Sequence, residues 1–460
     1  MDCLRTLITG SWVPIPHSHG SLQQGPLQLE IFSLTMAGDN DRVCPAHFLE
    51  NKTIVVAGAG LAGSAFVVGL QKLWSPSLVR PNIIIYERDA QDVAARRETY
   101  NLSLTGYDDN GGLVALKHLG LLDEALGHAA SGVDGAGAFK IWDTQWRGQV
   151  AFRRKPAPGI PSSSIRIARE DVRQVLHDSI HSSDQCIIHW ESQCLSSISL
   201  TDGRLRVRVV RGNGDVSEQD CDILVVADGA SSKVRQSLRP DDCLGYNGAV
   251  LRGGVASFEE SLPPQLSEDW GFVISRTGVS AFVSPIDKHK ILWTVGQMGD
   301  RVPPLDRGCL DQAQAVIDDS LELASHIAEP FASIVKRTDP KTVLLLNSRD
   351  KTPFRHGEIA TVPAIFLGDS NHALSPFAGI GANLALADGW ELASQMCKHR
   401  SLGEAVRAYD DVSVPRAAQS LRRSRRVINT AHSTGWQYYL FWCMLYVGRF
   451  VRWISSKMAG

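Results

Sequence analysis

The sequence predicts an α/β protein: a parallel-sheet domain assembled from discontinuous segments, a second domain of antiparallel sheet, and a helical C-terminal region. Three observations predict it. The apolar strand 53–57 runs straight into glycines at 58, 60 and 63 and then into a helical period. Two later runs, 223–227 and 364–367, are fully apolar and close on Asp228-Gly229 and Gly368-Asp369, as strands buried on both faces of a parallel sheet do. Between them, from Tyr246 to Met298, short strand-like stretches alternate with turn residues.

The chain has 460 residues, enough for about two to three domains on a ~150-residue prior and for a large core. Its 47 basic and 49 acidic residues give a net charge of -2, so no global field points to nucleic acid. The nine cysteines are scattered without a C-x-x-C pair, the pattern of reduced intracellular thiols. No metal-binding pattern such as H-E-x-x-H occurs, and a cytoplasmic location is expected.

Residues 1–50 read as a disordered N-terminal extension, rich in proline, histidine and glutamine without a sustained period. The apolar stretch 4–13 is broken by Arg5 and Gly10 and lacks a small-residue cleavage site, so no secretory signal is expected. Met36 is a candidate start of the functional chain.

The glycines at 58–63 have a physical logic. Gly58 permits the tight turn, Gly60 lets backbone N–H groups approach a pyrophosphate, and Gly63 lets the helix pack close to the sheet. The positive end of that helix then faces an anion. A second strand, 83–86, ends on Glu87, where a ribose hydroxyl would need an acceptor. This is a Rossmann-type unit. Next, 101–122 reads as a loop and then a helix, 137–152 as a hairpin carrying Trp142 and Trp146, and Arg169 opens another helix. The strand 204–210 turns back through Gly212-Asn-Gly-Asp215. Turns are expected at Arg252-Gly-Gly254, Arg276-Thr-Gly278 and Asp287-Lys-His-Lys290, and helices at 310–332 and 382–397. The expected division is 51–136, 154–240 and 345–400 for the nucleotide domain, 137–153 and 241–344 for the substrate domain, and 401–460 for the C-terminal helices.

Three motifs now stand in order: G-x-G-x-x-G at 58–63, D-G-x-x-S-x-x-R from Asp228 to Arg235, and Gly368-Asp369 followed by His372, Pro376 and Gly379-Ile-Gly381-Ala-Asn383. Over roughly 50–430 the chain resembles the class A FAD-dependent monooxygenases of the para-hydroxybenzoate hydroxylase fold, near the salicylate-hydroxylase-like and tetracycline-modifying enzymes. The resemblance implies non-covalent FAD, with NADPH or NADH as co-substrate and O2 as oxidant. It places Glu87 on the adenosine ribose, Arg88 near the adenine or its phosphates, and Arg169 on FAD, with Arg173 a second candidate. Asp228 and Arg235 would serve FAD and NAD(P)H, and Asp369 the ribityl chain. Gly379, Gly381, Ala382 and Asn383 would lay backbone N–H groups against the flavin N1–C2=O edge. Pro376 and His372 are the candidates beside the ring. The sequence departs from the family's common G-D-A-A-H with Gly368-Asp-Ser-Asn-His372.

Plainer readings stand beside these. His372 also suits a satisfied helix-start histidine, Asp228 a cap on the helix after it, and Ser231 and Ser232 caps as well as ligands. Trp142 and Trp146 read as packing.

The resemblance implies oxygen insertion into an aromatic or polycyclic small molecule through a C4a-hydroperoxyflavin, with secondary metabolism as the expected setting and hydroxylation first. Epoxidation and Baeyer–Villiger insertion share the scaffold. A flavin-dependent halogenase lacks its W-x-W-x-I-P here, and a non-redox binding protein is disfavoured by the intact Gly368-Asp369 segment. In the tail, the arginines of 422–426 read as a solvated helix face. The aromatic stretch 436–454 docks on the protein or lies in a membrane interface, because its uncharged core is shorter than the ~20 residues of a span.

Overall fold

The computed structural model describes residues 46–91, 100–133, 137–152, 154–181, 185–306 and 308–458. The expectations for the N-terminal extension and for a functional start at Met36 lie outside these, apart from the lead-in from residue 46. Residues His47–Phe441 form one compact unit, and Trp442 onward belongs to a second.

In chain order the first elements are β1 (Thr53–Ala57), α1 (Leu61–Leu73), β2 (Asn82–Tyr86), β3 (Asn101–Thr105), α2 (Gly112–Leu119), α3 (Leu122–Gly127) and β4 (Ala129–Ser131). The hairpin β5 (Phe139–Trp142) and β6 (Gly148–Phe152) follows, then β7 (Ser164–Ala168), α4 (Arg169–Asp178) and β8 (Cys186–His189). Next come β9 (Ser192–Ser199), β10 (Leu205–Arg211), β11 (Val216–Cys221), β12 (Ile223–Val226) and α5 (Lys233–Leu238). The middle of the chain supplies β13 (Gly245–Ser257), β14 (Trp270–Ile274), β15 (Val279–Pro285), β16 (Lys290–Met298), α6 (Leu310–Leu323) and α7 (Phe331–Lys336). It ends with β17 (Leu344–Asp350), β18 (Ala364–Phe366), α8 (Asp369–His372), α9 (Gly381–Lys398), α10 (Leu402–Ala431) and α11 (Gly435–Met458).

The parallel sheet has five strands in the order β18-β12-β1-β2-β8, so the expected assembly from distant segments is present. β-branched, doubly buried strands make its centre: Ile54, Val55 and Val56 are all fully enclosed. Helix α1 is buried continuously from Leu61 to Leu70, because α9 lies across it. The two approach closely at Gly389, where a Cβ would stand 2.5 Å from the Ala62 carbonyl oxygen. Each buried Leu, Ile or Phe at this contact contributes about 1.5–3 kcal/mol.

The second large sheet has seven strands, β17-β13-β16-β15-β14-β5-β6, and confirms the expected antiparallel architecture, with one parallel pair, β14 and β5. One face packs Val273, Ala281, Val283, Trp293 and Val295 against α6 and α7. A three-stranded sheet, β3-β7-β4, lies beside this one, and β9–β11 form another.

Several expectations change. Asn101–Thr105, read as loop, is a strand paired with β7; five residues carry too few alternations to announce it. Arg252-Gly-Gly254, read as a turn, lies inside β13, where glycine serves close packing: a Cβ on Gly253 would meet the Trp293 carbonyl oxygen at 2.6 Å, and one on Gly254 would meet Thr338 Cγ2 at 2.5 Å. The helix over 310–332 is two helices: α6 stops at Leu323, and α7 begins at Phe331 with Pro330 as its N-cap. Strand β17 pairs with β13 in the antiparallel sheet, although the sequence division puts 345 onward in the nucleotide domain. Trp142 and Trp146 are buried in the antiparallel sheet's core, with the Trp146 indole N–H donating to the Ala328 carbonyl at 2.7 Å.

Candidate active site

The glycine turn closes between β1 and α1. Gly58 has φ +104°, and a Cβ there would meet the Ala227 carbonyl oxygen at 2.6 Å. Gly63 is tighter, with its Cβ position 2.1 Å from the Gly58 carbonyl oxygen. Gly60 differs: nothing lies within 4 Å of its Cβ position. Its backbone therefore borders open space. Gly60 is also the N-cap of α1 and supplies no side-chain cap, so the first-turn N–H groups there have no side-chain acceptor from it. Glu87, buried at the end of β2, braces the turn: Oε2 accepts from the Ala59 N–H at 2.7 Å and Oε1 from the Asp89 N–H at 3.0 Å. Arg88 points outward, with its side chain 61% exposed beside Asp89.

The second half of the site is the turn after β18. Gly368 takes φ +54°, and its N–H donates to Asp388 Oδ2 at 3.0 Å. Asp369 opens α8, and a Cβ on Gly381 would stand 4.0 Å from Asp369 Oδ1. That carboxylate thus faces the start of α9, whose N-cap, Ile380, offers no side-chain acceptor. Burial raises the Asp369 carboxyl above its ordinary range, against the pull of His372 and Arg169. Pro376 opens the short 3-10 turn Pro376–Ala378, and Gly379, φ +62°, ends it with nothing within 4 Å of its Cβ position. The Asn383 side chain is fully engaged: Oδ1 accepts from the Thr105 and Gly112 N–H groups at 2.8 Å each, and Nδ2 donates to the Ser103 carbonyl at 2.8 Å. It clamps α9 to β3 and to the start of α2.

His372 turns inward. Its Nε2 lies 2.5 Å from Asp388 Oδ2, while Arg416 Nη2 and Ser413 Oγ reach Asp388 Oδ1 at 2.7 and 3.2 Å. Burial opposes charge on the imidazole, yet the Asp388 carboxylate, with Asp369, outweighs it and holds His372 above its ordinary value. Burial likewise opposes the Asp388 charge, but His372 and Arg416 draw it down to about 2. Asp388 and Arg416 carry no motif; they tie the turn to α9 and α10. A carboxylate in the middle of a small-residue helix is the signal that could have found the first.

Asp228 caps α5, its Oδ2 accepting from the Lys233 N–H at 2.9 Å, while Oδ1 is buried without a partner among the described residues. Burial raises this carboxyl too. Ser232 accepts from the Arg235 N–H as N-cap. Arg235, almost fully buried, donates to the carbonyls of Ser370 and Ala230 at 2.7 and 2.6 Å, joining this segment to the Asp369 turn. Arg169 donates to the Tyr100 hydroxyl at 2.6 Å, and Arg173 lies 3.9 Å from Asp89.

The antiparallel sheet turns its other face toward these loops. Strand register puts Phe272, Phe282, Thr294 and Gly296 there. A Cβ on Gly296 would stand 3.2 Å from the Phe377 ring, the residue after Pro376. Phe139, Phe272 and Phe282 form an aromatic strip, with successive centroids 6.0 and 5.2 Å apart. The sequence reading missed these residues, because only strand pairing assembles them.

A family model described as FAD binding domain matches residues 93–424. The monooxygenase cfoF of Aspergillus candidus is 40% identical over 393 residues, covering 84% of this chain and 93% of its own. Among solved structures, Klebsiella pneumoniae HpxO complexed with FAD and uric acid superposes with a TM-score of 0.68 at 18% identity, covering 87% of this chain and 94% of that one. A salicylate hydroxylase substrate complex gives 0.64 at 18%, covering 88% and 95%. The chain belongs to the FAD-binding-domain family of flavoprotein monooxygenases. It is an FAD-dependent monooxygenase.

The residues present fit FAD. Open space beside Gly60 and Gly379, two helix starts without side-chain caps, and the Asp369 carboxylate facing Gly381 offer donors to phosphates and an acceptor to a polyol.

Proposed function

We propose that the enzyme hydroxylates an aromatic or polycyclic small molecule, consuming NAD(P)H and O2, in secondary metabolism in the cytoplasm. One observation carries this reading: an aromatic strip on the antiparallel sheet and a glycine-rich cradle at the strand ends border the same region, through Gly296 and Phe377. The relatives support a ring substrate, since their names include salicylate hydroxylase and kynurenine 3-monooxygenase.

In this reading the bound flavin, held without a covalent link, supplies hydride acceptance and oxygen activation. The chain's residues position it. Gly58, Gly60 and Gly63 hold the pyrophosphate side, with Glu87, Arg88, Arg169 and Asp228 around the adenosine half. Asp369 takes the ribityl hydroxyls. The backbone at Gly379, Gly381, Ala382 and Asn383 places N–H dipoles where negative charge develops on the ring. Pro376 shapes the ring side, while His372 acts from beneath through Asp388. The aromatic strip excludes water from the substrate.

The test is NADPH-dependent O2 consumption by the purified enzyme with a panel of aromatic and polycyclic compounds, and mass analysis of products made under 18O2. One labelled oxygen retained as a new hydroxyl supports the reading. A labelled epoxide or lactone moves the reaction to the alternative chemistries, and no labelled product with any ring compound removes the aromatic assignment.

The tail carries a second proposal, peripheral membrane contact through 436–454. Trp436, Tyr439 and Leu440 are exposed at i, i+3, i+4 spacing on α11, and no helix among the described residues is long and apolar enough to cross a membrane. Flotation with anionic vesicles should fall on truncation to 1–432; equal flotation removes the proposal.

A further inference from the structure

A cavity of about 470 Å³, a size that suits a small-molecule ligand, is enclosed by three pieces of chain far apart in sequence. They are the start of β13 at Tyr246 and Asn247, the end of β17 at Asp350 and Lys351, and the last turns of α10 at Arg425 and Asn429. None of its lining residues belongs to the glycine turns or to the aromatic strip. It does back onto the segment that precedes Pro376. The Lys351 N–H donates to the Ala373 carbonyl at 3.1 Å, Lys351 Nζ donates to the Asn371 carbonyl, and Ser424 of α10 donates to the Ser375 carbonyl at 3.3 Å.

The β13 wall is irregular at this point. Tyr246 stands opposite Arg349 and Val250 opposite Asn347, so Asn247, Gly248 and Ala249 face Ser348 alone, and Gly248 takes φ +89°. Such a bulge re-aims a side chain, here that of Asn247. Its Nδ2 reaches Asp350 Oδ2 at 3.4 Å, while Oδ1 is buried with no donor among the described residues. An enclosed acceptor left unmatched costs about 1–3 kcal/mol, and on a cavity wall a ligand can supply its donor. The carboxylates here are already matched. Arg425 grips both Asp350 oxygens at 2.7 and 3.1 Å, and Lys351 lies 2.9 Å from Asp242. Arg349 beside Tyr246, and Arg301, whose guanidinium lies 5.3 Å from the Tyr246 ring centroid, are exposed and pair with no carboxylate among the described residues. Asp300 also acts on Tyr246, which leaves the rim with a surplus of positive charge.

We propose that this cavity is a second ligand site and that it takes a ribosyl phosphate, with a sugar hydroxyl donating to Asn247 Oδ1 and the phosphate held at the arginine rim. The two requirements select that chemistry together. A surplus of cations repels an ammonium donor, so the group that satisfies Asn247 is a neutral hydroxyl, and the rim favours an anion on the same molecule. A free sugar phosphate, a nucleotide and the nucleotide half of a reducing dinucleotide all share it. The site is argued without the flavin and stands apart from the hydroxylase reading.

The test is calorimetry on the full chain in saturating FAD, at low salt and pH 7. Ribose 5-phosphate, AMP and nicotinamide mononucleotide are titrated against ribose, adenosine, nicotinamide riboside and inorganic phosphate. At least one ribosyl phosphate should bind about 10-fold or more tightly than its dephosphorylated partner and than inorganic phosphate. Asn429→Trp, which fills the cavity from an exposed helix position, should weaken that binding at least about 10-fold with flavin content and Tm unchanged. Arg301→Gln combined with Arg349→Gln should remove the preference for the phosphate, and Asn247→Leu should weaken the phosphate and its dephosphorylated partner alike. The pattern among the three phosphates identifies the source: all three for a sugar phosphate, AMP and nicotinamide mononucleotide for a nucleotide, the last one only for the reductant. No binding by any of them, inorganic phosphate held as tightly, or binding that Asn429→Trp leaves intact overturns the proposal. If Asn429→Trp fails to fold, an arginine pair variant that keeps the phosphate preference overturns it.

Discussion

The two faces of the site are built by different means. At the ends of β1 and β18 the work is done by backbone: glycines that admit tight turns, helix starts, and carboxylates that brace or face them. On the antiparallel sheet it is done by side chains brought together from strands far apart in the chain, Phe139 from one, Phe272 and Phe282 from two others. The difference teaches why cofactor use is readable and substrate is not. A pyrophosphate needs local spacing, which one stretch of chain can encode; a substrate face needs register and packing, which no single stretch encodes.

The largest expected effect breaks the backbone half. Gly63→Ala sets a Cβ 2.1 Å from the Gly58 carbonyl oxygen, so α1 must move from the sheet. Loss of soluble, flavin-bearing protein is expected; a folded yellow protein in gel filtration would show that the turn tolerates displacement.

Next comes the network beneath the turn. Asp388→Ala leaves Arg416 and His372 without their buried carboxylate and should cost about 3–5 kcal/mol in urea unfolding. The pH dependence has a definite sign. Asp388 is depressed to about 2, so its stabilisation is complete above about 4 and fades as pH falls toward 2. His372 is raised, so its contribution is complete below about 6.5 and is lost as pH climbs through its folded value. The Asp388→Ala protein should show a flatter acid limb; an unchanged limb would mean other carboxylates govern acid unfolding.

A sharper comparison uses the open glycine. Gly60→Ala meets no atom within 4 Å, so stability should hold while FAD affinity falls about tenfold, near 1.4 kcal/mol, measured by fluorescence on reconstitution. Unchanged affinity would mean that the phosphates do not approach this backbone. The smallest effect belongs to the sheet. Phe282→Leu should leave flavin content alone and cost less than about 1.5 kcal/mol of stability, yet raise KM for a ring substrate. A change in flavin content without one in KM would move Phe282 out of the substrate face.

Much of this protein was legible in its sequence for the same physical reason. The apolar runs 223–226 and 364–366 announced doubly buried strands, and both join the parallel sheet. Glu87, Asp369 and the glycines lie at the two turns where the sequence put them, because spacing along one stretch sets such turns, while their contacts with FAD belong to the proposal. Strand β3 could not, because five residues show too little alternation, and Gly253 and Gly254 misled because glycine marks close packing as well as turns. Asp388 and Arg416 meet only after α9 and α10 pack.

The central claim is that the glycine turn and the Asp369 turn together hold a working flavin. Its most direct test is the visible spectrum of the purified enzyme, or of the enzyme reconstituted with FAD, followed anaerobically on addition of NADPH and, separately, NADH. A bound-flavin spectrum bleached by at least one of them, with flavin retention weakened by Asp369→Ala, is predicted. A colourless protein that cannot be reconstituted, or a flavin that neither nucleotide reduces, would contradict it.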